Sequence, residues 1–196
     1  MPKHSIVDDR AVKEPLDLDS LFPEITEIRD ALLRDKVREI WERAWSISEY
    51  VRLADVPISV SIAGSQLKHC QGIVKGALAL ARVWEEVHGV ELDRDIIIAA
   101  ALLMDVSKLI EIRPVGDGKH ERTELGRALP HALVVASWAL ASGLPLQIVH
   151  IVSCHSPNGG KAPNSMEAHL LDAIDQADLN ACGFDIWERK VTHYQR

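Results

Sequence analysis

Apolar positions recur with a helical period along most of the chain, and the most apolar stretch is Asp95 to Glu111, DIIIAAALLMDVSKLIE. At about 100° per residue, Ala101, Met104, Asp105 and Lys108 fall within about a third of the circumference, below Ile97. The spacing predicts one central helix, starting near Leu92 or Asp93, that carries a carboxylate and an ammonium into apolar surroundings. A buried carboxylate is costly unless a cation, a hydrogen-bond network or a metal offsets its desolvation. Lys108, one turn below Asp105, is the plainest candidate for that cation.

The flanking segments read as further helices. Residues 1–20 mix charges and prolines with little periodicity and are expected to form a loosely attached arm. Asp19 or Ser20 can cap a first long helix with Pro23 in its first turn, and Ile25, Ile28, Leu32, Val37, Ile40, Trp41 and Trp45 make its apolar face. Tyr50 to Gly64, with Pro57 and alternating Ile58, Val60 and Ile62, reads as an extended connection rather than a strand. Ser65 to Val87 is helical again, with His69, Ile73, Gly76, Ala77, Leu80 and Trp84 sharing a face.

After the central helix, Pro114 and the glycines of RPVGDGKHER predict a loop. Thr123 to Leu129 is a short helical piece, and Pro130 opens a helix with His131 in its first turn. In the helix Leu146 to Ser156, His155 shares a face with Ile148, Ile151 and Val152, while His150 lies nearly opposite. Pro157 to Pro163 is a turn-rich loop. In the last helix, Ser165 to Cys182, Asp175 lands between Leu171 and Leu179, whereas His169 and Asp172 fall off that face. The tail FDIWERKVTHYQR is expected to pack Trp187 back on the body. The fold class is all-α, a compact helical bundle.

Composition narrows the function classes. A chain of 196 residues with 47% apolar content suits a single domain with a sizeable core, here residues 21–196. A formal charge of -7 leaves no basic field for a phosphate backbone, so nucleic acid is not expected as a partner. Cys70, Cys154 and Cys182 are odd in number and lack metal-finger spacing, which suits reduced thiols that pack rather than attack. No apolar signal core or span of membrane length is present in the sequence, so no membrane partner and a cytoplasmic location are expected. The loop residues Lys119, His120 and Arg122 form a small basic cluster in an acidic chain, solvated or set beside an anionic substrate.

Five separate helices thus each offer one ligand-type side chain from an apolar or first-turn position: His69, Asp105, His131, His155 and Asp175. Taken singly, a histidine on an apolar face is usually a core residue bonded to a carbonyl, and a charge run on a helix is usually a solvated face. Together, imidazoles and carboxylates from facing helices are the donor set of Mn, Fe, Ni, Co or Zn sites.

On these residues the chain resembles the HD-domain superfamily, metal-dependent phosphohydrolases and relatives with an all-helical core. The resemblance runs over about residues 65 to 182: HCQGIVKGALALAR supplies His69, ALLMDVSKL supplies Asp105 and Lys108, PHALVVASWAL supplies His131, VHIVSCHSPNGG supplies His155 and AIDQADLNA supplies Asp175. It departs at Met104, where the superfamily has the histidine of its His-Asp pair, and a thioether is a poor ligand for hard or borderline divalent ions. By the resemblance, His69, Asp105 and Asp175 would hold one ion, Asp105 would bridge, and His131 with His155 would hold a second. Met104 leaves open a sufficient remaining set, a metal-free relative or a change at a ligand position.

The resemblance implies a metal-dependent hydrolase of a small phosphorylated or otherwise anionic molecule, with one or two divalent transition-metal ions. Asp105 and Lys108 would be catalytic, and Lys108 with His120 would bind the substrate anion. The alternatives are a two-iron oxygenase on the same fold and a degenerate, non-catalytic domain that binds a ligand. A homo-oligomer is compatible with all three.

Overall fold

The computed structural model describes residues 12–61, 64–156 and 162–182. Its helices are α1 Leu18–Leu21, α2 Ala31–Ile47, α3 Gln66–His88, α4 Arg94–Leu103, α5 Lys108–Glu111, α6 Glu124–Ala128, α7 His131–Ala141, α8 Leu146–Cys154 and α9 Met166–Cys182. A two-stranded antiparallel hairpin, β1 Ile112–Gly116 with β2 Lys119–Arg122, stands between α5 and α6. The architecture is the expected all-α bundle around one apolar cluster. Among the described residues no helix is long and apolar enough to cross a membrane.

Helix α4 is the centre. Asp93 caps it by accepting from the backbone of Asp95 and Ile96, and every side chain from Ile96 to Leu103 is buried, so it is apolar all round rather than amphipathic. Helices α2, α3, α8 and α9 pack around it. The fully buried Trp41 of α2 donates its indole N–H to the carbonyl of Leu102 at 2.8 Å, giving a bulky ring's one polar atom a partner on the central helix.

The structure revises four expectations about local form. Residues 12–20, assigned to a loose arm, are fastened: Lys13 Nζ donates to the carbonyls of Trp45 and Ser48, Glu14 N donates to Val51 O, and Leu18 is buried. Residues 1–11 lie outside the described residues. The long first helix is broken, because Pro23 has no N–H and holds Phe22 out of the helical region. A 3₁₀ turn, Pro23–Glu27, follows, and α2 starts afresh where Asp30 caps Leu32 and Leu33.

The central helix does not run unbroken to Glu111. From Met104 to Ser107 it tightens into i to i+3 bonds, with Val106 N on Leu103 O and Lys108 N on Asp105 O at 3.0 Å each, before α5 resumes. Asp105 therefore sits in a tight turn at the end of α4. The loop after Glu111 contains the hairpin, which turns through Asp117 and Gly118 at positive φ, an Asp-Gly signal of the kind that favours two-residue hairpin turns. Pro114 falls on β1 of this isolated pair. The stretch from Tyr50 to Gly64 is a connection, as expected, with a 3₁₀ turn at Leu53–Asp55 and a single bridge between Pro57 and Ser65; Ile62 lies outside the described residues. Outside them too are the expected loop at 157–161 and the packing of Trp187.

Close approach of α3 to α9 depends on two glycines one turn apart. A Cβ on Gly76 would press on Ile174, and one on Gly72 would overlap the carboxylate of Asp178. This contact brings the middle of α9 against the start of α3, where His69 stands.

Candidate metal centre

Five ligand-type residues meet where the end of α4, the start of α7 and the end of α8 converge on α3 and α9. His69 on α3 is fully buried, Asp105, His155 and Asp175 nearly so, and His131 is half-buried. They line a cavity of about 140 Å³ together with Lys108. All five residues expected as metal ligands are thus in one place, and Lys108 is with them.

Asp105 has a different set of neighbours at each oxygen. Its Oδ2 is 3.3 Å from His69 Nε2, which is also 3.2 Å from Asp175 Oδ1. Its Oδ1 is 3.5 Å from His131 Nε2 and 3.7 Å from His155 Nε2. Two three-residue donor groups result, His69 with Asp105 and Asp175, and Asp105 with His131 and His155, and within each group the donor atoms lie within 4.8 Å of one another.

The ring orientations are set from behind. His69 Nδ1 is 2.6 Å from Asp178 Oδ2, and since an ionised carboxylate only accepts, Nδ1 carries the hydrogen. His155 Nδ1 donates to the carbonyl of Val152 at 2.8 Å, which fixes that ring in the same way. In the neutral tautomers both Nε2 atoms therefore present lone pairs to the cavity. A metal-bound histidine commonly has this arrangement, with the far nitrogen donating to a carboxylate or a carbonyl.

The donor set fits a divalent transition ion on its own chemistry. His69 Nε2 is buried without a well-directed hydrogen bond, and as a lone pair it would face oxygens of two carboxylates. A proton or a cation is needed there. Burial alone would push the His69 imidazole down, but Asp105, Asp175 and Asp178 hold its proton and raise it to about 11. Burial pushes His131 down to about 4 despite Asp105, helped by the positive charge of Lys108. The desolvation of Asp105 is outweighed by its contacts with His155 and His69 and by the charge of Lys108, so its carboxyl stays well below the usual range. At neutral pH the cavity holds an ionised Asp105, a neutral His131 and an imidazolium at His69, whose second proton is on Nε2.

Some singled-out residues fall elsewhere. His120 lies on β2 with its Nδ1 2.9 Å from the Tyr50 hydroxyl, and with Lys119 it lines a separate cleft of about 410 Å³. The structure does not bring His120 to the five-residue cavity. His169 is exposed, and His150 contacts Asn164 N and Cys154 Sγ. Cys70 and Cys154 are buried, which pushes both thiols up and suits packing. Met104, fully buried, is not among the cavity's lining residues.

The sequence pattern does not single out Asp178, which the structure places against His69. Its position three residues after Asp175 was visible as part of a polar run, but periodicity on α9 alone does not reveal that Gly72 leaves space for its carboxylate beside His69.

No family model matches the chain, and no solved structure matches it. Among curated proteins it is similar to the dihydroneopterin 2',3'-cyclic phosphate phosphodiesterase of Methanocaldococcus jannaschii, with 30% identity over 162 residues. The similarity covers 78% of this chain, which spans 65% of the relative's length.

Proposed function

We propose that the chain is a metal-dependent hydrolase of a small phosphodiester, with a cyclic phosphate as the substrate class suggested by the relative's name. The observation that carries this reading is Asp105, whose two oxygens face separate histidine sets inside one cavity. His69, Asp105 and Asp175 would hold one divalent ion, and Asp105, His131 and His155 a second. Met104 stands where the HD-domain pattern has a histidine, so the first ion would depend on His69, Asp105 and Asp175 alone. When bound, such ions supply Lewis-acid polarisation of a phosphoryl oxygen and a lowered pKa for the attacking water.

Hydrolysis of a cyclic phosphodiester forms one bond from water oxygen to phosphorus and breaks one ester bond. The water proton ends on the leaving alkoxide. Negative charge grows on the leaving and non-bridging oxygens, and Lys108, lining the same cavity, would meet it with its ammonium. Asp178 would keep His69 in the tautomer that presents Nε2. Asp175 and Asp105 would balance the ions' charge. The hydrolytic reading has the phosphodiesterase relative behind it, and no observation gives the oxygenase reading comparable support.

Protein stripped of metal and reloaded with Mn(II), Fe(II), Co(II), Ni(II) or Zn(II) is expected to convert a nucleoside 2',3'-cyclic phosphate to a monoester, followed by phosphorus NMR. Absence of monoester with every ion would reject the function. Lys108→Ala is expected to lower kcat/KM by about 10- to 100-fold, the worth of one charge-assisted hydrogen bond of about 1.5–3 kcal/mol. Unchanged kinetics would remove Lys108 from the role.

Asp178→Ala is expected to weaken metal affinity about 10- to 100-fold, the usual effect of losing a partner behind a ligand. Gly72→Ala should act in the same direction by displacing that carboxylate. Calorimetric titration of the metal-free variants checks both, and wild-type affinity in each would mean that His69 needs no orienting partner.

A further inference from the structure

A second cavity, of about 150 Å³, adjoins the first and shares Ser59, Lys108 and His131 with it. It contains a buried acid unused by the proposed chemistry. Glu111, at the end of α5 and 5% exposed, is fixed at Oε1 by Ser107 Oγ at 2.5 Å. Ser107 also reaches the carbonyl of His131, tying the acid to the neighbouring ligand's backbone. Among the described residues no cation lies at ion-pair distance from Glu111, although Lys108 and the exposed Arg122 line the same cavity. Ser107 takes one carboxyl oxygen, which leaves Oε2 for a guest.

The backbone below is held closely. Thr123 N donates to Glu111 O and Thr123 Oγ1 to Ile110 O, and Gly126 stands where any Cβ would overlap the Glu111 carbonyl. Ile112 and Pro130 add apolar wall.

These groups select among guests. A second anionic group would be repelled by Glu111, and a cationic one by Lys108 and Arg122. A neutral, flat group that offers N–H to the acid and a carbonyl to the guanidinium satisfies both. A cavity of about 150 Å³ encloses a ring of benzene size, so it would take the amide-bearing ring of a fused heterocycle and leave the second ring outside it. We infer that this second cavity is the subsite for an amide-bearing nitrogen heterocycle, the non-phosphate end of the substrate, with Glu111 accepting from its N–H groups and Arg122 donating to its carbonyl. The inference rests on the proposed phosphodiesterase reading for the position of the phosphate, since the shared Lys108 and His131 would lie between the two ends. Burial raises the Glu111 carboxyl above its ordinary range, with Ser107 and Lys108 pulling back, so N–H donors from a guest would offset part of its desolvation.

The test compares guanosine 2',3'-cyclic phosphate, whose base has such an edge, with base-free glycerol 1,2-cyclic phosphate. Glu111→Gln is expected to lower the ratio of their kcat/KM values about 10- to 100-fold, mainly through KM for the guanosine ester. Arg122→Ala should lower the same ratio. An unchanged ratio in both variants overturns the inference. Neopterin, which carries the heterocycle without phosphate, gives an independent readout: fluorescence titration is expected to show binding that Glu111→Gln weakens at least about tenfold. If neither ester is hydrolysed, the phosphodiesterase reading fails, while Glu111-dependent neopterin binding still upholds the subsite and Glu111-independent or absent binding still rejects it. Circular dichroism checks that Glu111→Gln folds; if it does not, the exposed Arg122→Ala decides by the same ratio and titration.

Discussion

Asp105→Ala is expected to abolish both metal binding and hydrolysis, with a fall in kcat/KM of about 10³-fold or more. The size follows from geometry. Asp105 is the one residue common to both donor groups, so its removal leaves His69 with Asp175 on one side and His131 with His155 on the other. Loss of several kcal/mol of charge stabilisation is worth at least three decades, at about 1.36 kcal/mol per decade. His155→Ala should be milder for metal retention, because His69, Asp105 and Asp175 stay together. Chelation separates the effect from simple misfolding. Metal at about a hundredfold its Kd adds about 2.7 kcal/mol to a protein that binds it only when folded, or roughly 5–10 °C for a chain of this size. Chelator should therefore lower the wild-type Tm by about that much and leave Asp105→Ala unmoved. Equal shifts in both proteins would mean that the stabilising ion sits elsewhere.

Metal affinity is expected to rise about 100-fold between pH 6 and pH 8. A metal at the His69 group must displace the proton on Nε2, and that imidazole is raised to about 11, so below that value each pH unit changes apparent affinity about tenfold. Asp105 stays ionised over this range and His131, near 4, is already neutral, so neither adds a proton to the exchange. The sign for the metal-free protein is opposite. A folded-state pKa raised above the unfolded 6.5 contributes stability that is complete below 6.5 and lost as pH climbs towards 11. Metal-free protein should thus lose stability through mildly alkaline pH while the loaded protein, in which neither the folded nor the unfolded His69 carries that proton above 6.5, stays level. Calorimetry in buffers of different ionisation enthalpy should find about one proton released from the site per loading event at pH 7. Loading without proton release would remove His69 from the ligand set.

Sequence reading reached the residues that gather at the cavity more surely than the path of the chain between them. His69, His155 and Asp175 each lie on an apolar helical face, so period alone turns them inward, and the structure buries all three. His131 needed only Pro130 to start a helix at the right residue. Asp105 was identified on its stripe, yet the tight turn that holds it was invisible, because nothing in the periodicity of Asp95 to Glu111 marks the change from i+4 to i+3 bonding. Pro23 does stand in a first turn, but of a short 3₁₀ helix rather than the long helix that the periodicity predicts, and its ring also ends α1. The pairing of His69 with Asp178 depends on two helices touching through Gly72, a tertiary fact that a one-dimensional pattern does not contain. His120 shows the converse limit: closeness in sequence to Lys108 suggested a shared site, and the hairpin carries it to Tyr50 instead.

Anomalous diffraction from crystals of Mn(II)-loaded protein tests the central claim most directly. The expected result is manganese density against the Asp105 carboxylate, with Oδ2, His69 and Asp175 around one ion and Oδ1, His131 and His155 around the other. Manganese bound away from Asp105, or none at a saturating concentration, would contradict it.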